Sequence, residues 1–126
     1  MILKDYIEET LPGEGRWTSN GKSWDLSTLI KASEQLEEFD LHLMSLDICK
    51  YPWNFTDWNF STFLYHSNRM NGTDLRYPVL LTPDGYICDG WHRLAKAILE
   101  GKETIKAKRF KVMPEETSTT SESGKN

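Results

Sequence analysis

Apolar residues recur along this chain at spacings that predict a mixture of short helices and strands. Helical spacing at the N-terminus predicts a helix stopped by Pro12-Gly13, with apolar positions at Ile2, Leu3, Tyr6, Ile7 and Leu11. Residues 13–23 are rich in Gly, Ser and Asn and are predicted to form a loop that carries Trp17. A second helix is expected to begin near Asp25, a good capping residue, with an apolar stripe at Leu26, Leu29, Ile30 and Leu36.

The middle of the chain predicts a strand, an aromatic loop and a third helix. Residues 39–48 carry apolar side chains on both faces, which is typical of a strand that is bulged or buried on both sides. Residues 49–54 are expected to form an aromatic loop. The helix that follows is predicted to be capped by Thr56 or Asp57 and to end at Asn71-Gly72. Its apolar positions are Trp58, Phe60, Phe63, Leu64 and Met70.

Residues 77–112 predict a hairpin, a helix and a closing strand. Strands are expected at residues 77–81 and 86–88, joined by the turn Thr82-Pro83-Asp84-Gly85. Asp89-Gly90 then begins a helix that runs from Trp91 to about Glu100, and residues 104–112 alternate as a final strand.

The order of these elements indicates an α+β fold with a small mixed sheet packed against helices. We expect three segments: an N-terminal helical extension over residues 1–40, a folded domain over residues 41–113, and a disordered tail over residues 114–126. The tail is predicted from its composition, because it has no large apolar residue to bury.

Composition and charge narrow the classes of function. The formal net charge of −4 argues against unspecific coating of DNA, so nucleic acid is a weak candidate partner. No apolar run reaches the roughly 18 residues of a membrane span, and the N-terminus does not begin a signal peptide. We therefore expect a cytoplasmic protein without a membrane partner. Cys49 and Cys88 lie far apart with no histidine cluster, so no metal ligands are predicted.

The residues around Gly90 carry the clearest chemistry in the sequence. A strand runs into a glycine turn and then into a helix, and glycine permits both a positive φ and close approach of a ligand. The first N–H groups of that helix, at Trp91, His92 and Arg93, would point outward with the positive end of the helix dipole. Arg93 adds a bidentate donor and His92 a titratable one. This combination predicts an anion site.

The segment resembles the signature of the ParB/sulfiredoxin-like superfamily. The corresponding turn reads Gly-Glu-Arg-Arg in ParB-type domains and Gly-Cys-His-Arg in sulfiredoxin, where this chain has Gly90-Trp91-His92-Arg93. The resemblance extends over about residues 41–110 as an order of elements, and it is specific at the turn alone. It implies a ParB/sulfiredoxin-like fold. It also implies that these four residues bind the phosphates of an ATP- or CTP-type nucleotide, with Mg²⁺ as a cofactor.

Two departures from the family limit what the resemblance implies. Sulfiredoxin has its reactive cysteine directly before the His-Arg pair, where this chain has Trp91, and Cys88 lies three residues earlier on the strand. Sulfiredoxin activity is therefore not expected. In ParB proteins a helix-turn-helix domain follows this module, whereas few residues follow Val112 here. Operator binding of the ParB type is likewise not expected.

Several side chains are candidates for the site, and each has a structural alternative. Asp47, His92 and Arg93 are the predicted catalytic residues, with Asp47 as the base by analogy with free-serine kinases of the same fold. Arg93 could instead form a structural salt bridge, and His92 could hydrogen-bond a neighbouring carbonyl. Asp89 either caps the helix or positions a metal or a hydroxyl. The other pocket candidates, which could also serve only the helices or the surface, are His66, Arg69 and Lys96.

The leading functional prediction is binding of a nucleoside phosphate, with phosphoryl transfer or nucleotide hydrolysis as activities that such a site supports. Two alternatives stay open. One is a ParB-like, Mg²⁺-dependent nuclease that attacks a phosphodiester. The other is a non-catalytic regulatory module, such as a phage or plasmid protein that binds a host protein or a signalling nucleotide.

Overall fold

The structure, a computed structural model, describes residues 2–10, 15–50, 52–53 and 55–117. Four α-helices and two β-sheets lie within these residues. In chain order the elements are α1 (Leu3–Thr10), β1 (Arg16–Ser19), β2 (Lys22–Asp25), α2 (Leu26–Ser33), β3 (Phe39–His42), α3 (Phe60–Gly72), β4 (Val79–Leu81), β5 (Ile87–Asp89), α4 (Trp91–Leu99) and β6 (Thr104–Arg109). The protein is therefore a small mixed α+β protein, as the order of predicted elements indicates.

The main sheet has four strands in the order β3-β6-β4-β5. β3 pairs with β6 in antiparallel orientation, β6 with β4 in parallel, and β4 with β5 in antiparallel. The parallel pair requires a crossover connection, and β5 and α4 supply it. This crossover places the turn between β5 and α4 at the edge of the sheet.

Each face of the main sheet is covered by its own hydrophobic cluster. On one face α4 packs through Leu94 and Ala97 onto side chains of the strands, which are Val79, Leu81, Ile87, Ile105 and Ala107. On the other face Trp24 of β2 and Leu29 of α2 pack onto Leu80, Cys88 and Phe110. All these residues are buried. The N-terminal segment thus contributes Trp24 and Leu29 to the second cluster, and it is not only helical, because it includes the hairpin β1–β2.

The hairpin β1–β2 corrects the predicted loop over residues 13–23. Arg16 to Ser19 pair with Lys22 to Asp25, and the connecting residues Asn20 and Gly21 have φ values of 52° and 76°. Positive φ at both central positions matches a type I′ turn, for which Asn-Gly is the preferred sequence. Asn20-Gly21 is the local sequence signal of this hairpin, whereas the predicted loop rests on the Gly, Ser and Asn content of residues 13–23.

The beginning of the predicted disordered tail is part of the fold. Trp24 Nε1 donates a hydrogen bond to the Pro114 carbonyl at 2.9 Å, and the Thr117 N–H donates to the Ser23 carbonyl at 2.9 Å. The Asp25 N–H also donates to Thr117 Oγ1 at 2.9 Å. The prediction of disorder is therefore wrong for residues 114–117, because β2 offers an unpaired edge that this segment covers. Residues 118–126 lie outside the described residues.

Two element boundaries also differ from the predictions. β3 ends at His42, and Leu43–Ser45 form a single 3-10 turn in place of the rest of the predicted strand. Helix α3 is capped by Asn59, whose side chain accepts from the Thr62 N–H at 2.9 Å, and not by Thr56 or Asp57. Those two residues lie instead in a separate 3-10 turn. Among the described residues, no helix combines the length and the apolar character needed to cross a membrane.

Candidate functional site

The turn between β5 and α4 has a backbone that glycine alone accommodates easily. Gly90 is the N-cap of α4 with φ 111° and ψ 18°, in the left-handed region. A Cβ atom at this position would lie 2.6 Å from Val79 Cγ1, too close for any real contact. No side chain caps the helix, so the prediction that Asp89 is the N-cap is wrong. The first N–H groups of α4 therefore remain without a side-chain acceptor from the cap position.

Arg93 lies beneath this turn and is paired with Asp89. Its Nη2 donates to Asp89 Oδ2 at 3.0 Å and to the Pro78 carbonyl at 3.2 Å. The two side chains are 17% and 14% exposed, so the ion pair is largely buried. Among the described residues, Arg93 Nε is buried and has no hydrogen-bond partner. Arg93 thus forms the structural salt bridge that was its alternative role. Its Nε–H donor is not used by this ion pair.

His92 forms a hydrogen bond with His66 of α3. The distance from His66 Nδ1 to His92 Nε2 is 2.8 Å. The ring centroids are 5.1 Å apart with 21° between the ring planes. His92 therefore forms a hydrogen bond with an imidazole of the neighbouring helix. The structural role predicted for it was a hydrogen bond to a backbone carbonyl.

Two tryptophans of the loop before α3 cover the histidine pair. The ring centroid of Trp53 lies 4.5 Å from that of His66 and 4.8 Å from that of His92. Trp58 stacks on His66 at 4.5 Å with only 3° between the planes. These contacts restrict water at the pair and fix the orientation of both imidazoles.

Burial holds both imidazoles in the neutral form. Desolvation lowers the pKa of His66, and the nearby Arg69 guanidinium lowers it further. Desolvation lowers the pKa of His92 from 6.5 to about 4, with further lowering by His66, Arg69 and Arg93. Around neutral pH the pair therefore carries no charge, and His92 contributes a neutral donor or acceptor to the turn.

The buried histidine pair is expected to make the fold less stable in mild acid. A neutral histidine whose folded-state pKa is depressed contributes stability that is fully present above pH 6.5 and lost as the pH falls towards about 4. For a partly exposed ring we expect the free energy of unfolding to fall by about 1–2 kcal/mol over this window. Urea unfolding of the wild type and of His92→Gln at several pH values measures it. Equal pH dependence in the two proteins would contradict the assignment.

A cavity of about 850 Å³ adjoins the turn on one side. The edge strand β5 and residues 89–92 form one wall of it, and β1 forms another. Asp47 and Lys50 lie at its rim. Its aromatic lining consists of Trp17, Trp53, Tyr86 and Trp91. The larger cavity thus combines flat aromatic surfaces with the start of α4.

A smaller cavity of about 370 Å³ adjoins the same turn on the other side. The C-terminal half of α3 contributes Asn68 and Arg69 to it, and the turn contributes Gly90, His92 and Arg93. The Arg69 guanidinium lies 5.3 Å from the centroid of the Tyr65 ring. Two arginines therefore border the smaller cavity, next to the first residues of α4. Asp89, Gly90 and His92 line both cavities.

The structure gathers most of the predicted site residues at this turn and separates one of them. His66, Arg69, Asp89 and the whole segment from Gly90 to Arg93 lie together. Lys96 does not line either cavity, because its Nζ donates to the carbonyls of Asn71 at 3.2 Å and Thr73 at 2.8 Å. Lys96 thus binds the C-terminal end of α3, so it is neither a residue of the cavities nor a solvated surface lysine.

Asp47 and Cys88 lie at the larger cavity in different environments. The Asp47 side chain is 62% exposed; its Oδ1 accepts from the Cys49 N–H at 2.9 Å and its Oδ2 is 3.6 Å from Lys50 Nζ. Cys88 is buried, and burial followed by the charge of Asp89 raises the pKa of its thiol to about 12. A buried thiol with a raised pKa is a poor nucleophile.

The described residues do not form a ready cage for Mg²⁺. No group of three or more His, Cys, Asp or Glu side chains suited to a metal occurs among them. Asp47 and Asp89 both line the larger cavity, but Asp89 is engaged by Arg93. Mg²⁺ is usually held by one or two carboxylates together with phosphates of the substrate, and Asp47 and Asp89 are the carboxylates that line the larger cavity among the described residues.

Sequence reasoning missed the contribution of the hairpin to the site. Arg16, Trp17 and Thr18 of β1 line the larger cavity, although the sequence predicts a loop there. The contact between His66 and His92, which are 26 residues apart, has no sequence signal of its own. Comparisons of the chain with protein-family models, with curated proteins and with solved structures found no match.

Proposed function

We propose that this protein binds a nucleoside phosphate, with the phosphates at the turn from Gly90 to Arg93 and the nucleoside in the larger cavity. The observation that carries the proposal is the uncapped start of α4 directly above Arg93, whose buried Nε has no partner among the described residues. A buried donor without an acceptor is costly, and a bound oxyanion would satisfy it.

Several features of the turn favour a phosphate over a neutral ligand. Backbone N–H groups at a helix start attract anions through both hydrogen bonding and the helix dipole. Arg69 and Arg93 border the smaller cavity, and arginine suits phosphate because its donors form a planar fork. Asp89 offsets part of the charge of Arg93, so Arg69 is the less compensated of the two cations among the described ion pairs.

The larger cavity favours a nucleoside as the rest of the ligand. Its volume of about 850 Å³ is within the usual range for small-molecule sites, about 300–1,000 Å³. Trp17, Trp53 and Tyr86 present flat faces on which a base could stack, and such stacking contributes about 1–3 kcal/mol per base. Three charged residues that line it are held in ion pairs, since Asp47 pairs with Lys50 and Arg16 pairs with Asp25.

We also infer that the fold is of the ParB/sulfiredoxin type. The inference is supported by the order of elements from β3 to β6, in which a helix precedes a hairpin and the glycine turn leads into the next helix. It is further supported by the position of Gly90-Trp91-His92-Arg93 at the start of α4, where the family has its phosphate turn. The hairpin β1–β2 and α2 would then be additions on the opposite face of the sheet.

The same donors would assist hydrolysis or phosphoryl transfer. The N–H groups of α4 and the Arg93 guanidinium are fixed before a ligand arrives, so they could stabilise charge that develops on a transferred phosphoryl group. Asp47 lines the same cavity and is the candidate base. Asp47→Asn is the variant that separates turnover from binding, since Asp47 makes no contact with the turn in the described hydrogen bonds.

Thermal unfolding against ATP, ADP, CTP and GTP, each with and without Mg²⁺, tests the proposal. A nucleotide at 100 times its dissociation constant adds about 2.7 kcal/mol to the free energy of unfolding, which raises Tm by several degrees. We expect at least one nucleotide to raise Tm in the wild type and none to do so in Arg93→Ala.

Arg76→Ala is the matched control for this experiment. Arg76 also pairs with an aspartate, Asp74, at 2.7 Å, but its side chain is 86% exposed and lines neither cavity. Its nucleotide response should equal that of the wild type. If no nucleotide changes the Tm of the wild type, the proposed function is wrong.

A further inference from the structure

We propose that the His66–His92 pair takes up one proton when an anion binds at the Gly90–Arg93 turn, so that His66 sets the affinity of the site through His92. The inference rests on the proposed function, because it describes how the same site responds to its ligand. His92 lines both cavities, whereas His66 lines neither. His66 is therefore a positioning residue and not a ligand contact.

The geometry of the pair is that of an N–H···N bond lying in the plane of both rings. With 2.8 Å between the nitrogens, two imidazoles in line would have centroids about 5 Å apart and nearly parallel planes. The observed values are 5.1 Å and 21°. One proton thus lies between His66 Nδ1 and His92 Nε2, and each ring has its other nitrogen directed away from the bond.

A bond of this kind can accept a further proton without breaking. The added proton attaches to a nitrogen outside the bond, and the pair becomes an imidazolium that donates to an imidazole. Hydrogen bonds with a charged donor are about twice as strong as neutral ones. Only a second added proton would occupy the nitrogen that accepts the bond. The pair can therefore gain one positive charge while its geometry stays the same.

Burial, and after it the positive charges that face the pair, keeps the extra proton off while the site is free. Arg69 faces it from α3 and Arg93 from α4, and both lower the pKa of His92. The charges across the larger cavity compensate one another, since Lys50 pairs with Asp47 and Arg16 with Asp25. On β5, Asp89 is engaged by Arg93. The arginines therefore add an uncompensated positive charge to the effect of burial, and this charge is the part that a bound anion can offset.

An anion at the turn would reverse this balance. Its charge would offset Arg69 and Arg93 and would favour a positive charge on His92, which lines both cavities. By linkage, an anion that raises the pKa of the pair binds more tightly at lower pH. Because the pKa of His92 is lowered to about 4 in the free protein, a rise on anion binding should make binding up to about tenfold tighter at pH 5 than at pH 7.5.

Sulfate is the probe for this proposal, because it remains a dianion throughout that pH range. The imidazole resonances of His66 and His92 are followed by NMR between pH 4 and 8, in sodium sulfate and in sodium chloride of equal ionic strength. Backbone amides of Gly90 to Arg93 report binding in the same samples. His42 is exposed on β3 and lines neither cavity, so it serves as the internal reference.

We expect sulfate to raise the apparent pKa of the pair by at least 1 unit relative to sodium chloride. Amide shifts at the turn with no change in the histidine titration would overturn the proton uptake and leave the phosphate turn standing. If sulfate moves neither the amides nor the imidazoles, the inference also fails. The nucleotide panel described above then decides the proposed function separately.

Two substitutions of His66 distinguish positioning from a structural role. His66→Phe retains a ring that can stack on Trp58 but removes the hydrogen-bond partner of His92 Nε2. Sulfate binding should then lose its pH dependence and keep its affinity at pH 7.5. His66→Asn returns an amide oxygen close to the position of Nδ1 and should restore the pH dependence. Identical pH profiles for the two variants would overturn the role of His66.

Discussion

Replacing Gly90 with alanine is expected to destabilise the protein by about 3 kcal/mol. A residue with a Cβ pays about 1–2 kcal/mol for a left-handed backbone, and the φ of 111° cannot relax while β5 and α4 stay in place. The added Cβ would also lie 2.6 Å from Val79 Cγ1 and 3.0 Å from Arg93 Nη2. Such overpacking of a filled core costs a further 1–3 kcal/mol or so. Urea unfolding measures the sum.

Gly101→Ala separates the backbone cost from the clash. Gly101 also has a positive φ, 78°, but a Cβ there would have no atom within 4 Å. We expect it to cost about 1 kcal/mol. If the two substitutions destabilise the protein equally, close packing of Val79 against the turn is not what requires glycine at position 90.

Removing Arg93 alone is expected to cost about 3 kcal/mol. Asp89 would keep a carboxylate that is only 14% exposed and has lost its cation, and breaking a buried pair in this way is strongly destabilising. The Pro78 carbonyl would lose its donor as well. Chemical denaturation of Arg93→Met gives the number. A loss below about 0.5 kcal/mol would mean that the pair is solvated in solution, as surface pairs are.

The double substitution Arg93→Met with Asp89→Asn should recover most of that stability. It removes both buried charges, and such replacements are often close to neutral. We expect the double variant to lie within about 1 kcal/mol of the wild type. Because it retains the fold and lacks the guanidinium, it is the appropriate protein for binding measurements.

The part of the candidate site that could be predicted from the sequence consists of residues that are neighbours in the chain. Gly90, His92 and Arg93 follow one another in the chain, and a glycine between a strand and a helix has few conformations to choose from. The same segment places Asp89 one helical turn before Arg93, which is the spacing of their ion pair. Short-range physics therefore predicted both the turn and the residues that could bind an anion.

The rest of the site depends on contacts between segments that are distant in sequence. His66 and His92 meet because α3 packs against α4, and nothing in the local pattern of either helix encodes their bond. The ordered residues 114–117 follow the edge of a hairpin that the sequence presented as a loop. Because the sequence pattern predicts a loop in place of the hairpin, it predicts neither the part of the larger cavity that β1 forms nor the packing of residues 114–117 along β2.

Calorimetric titration of the nucleotide that raises Tm most, into the wild type and into the Asp89→Asn, Arg93→Met variant, tests the phosphate turn most directly. The exposed pair Asp74–Arg76, replaced in the same way, is the control. Charge-assisted hydrogen bonds contribute about 1.5–3 kcal/mol each, so we expect binding about 10- to 100-fold weaker in the first variant and unchanged in the control. Equal affinity in the wild type and a folded Asp89→Asn, Arg93→Met variant would show that the phosphates bind elsewhere.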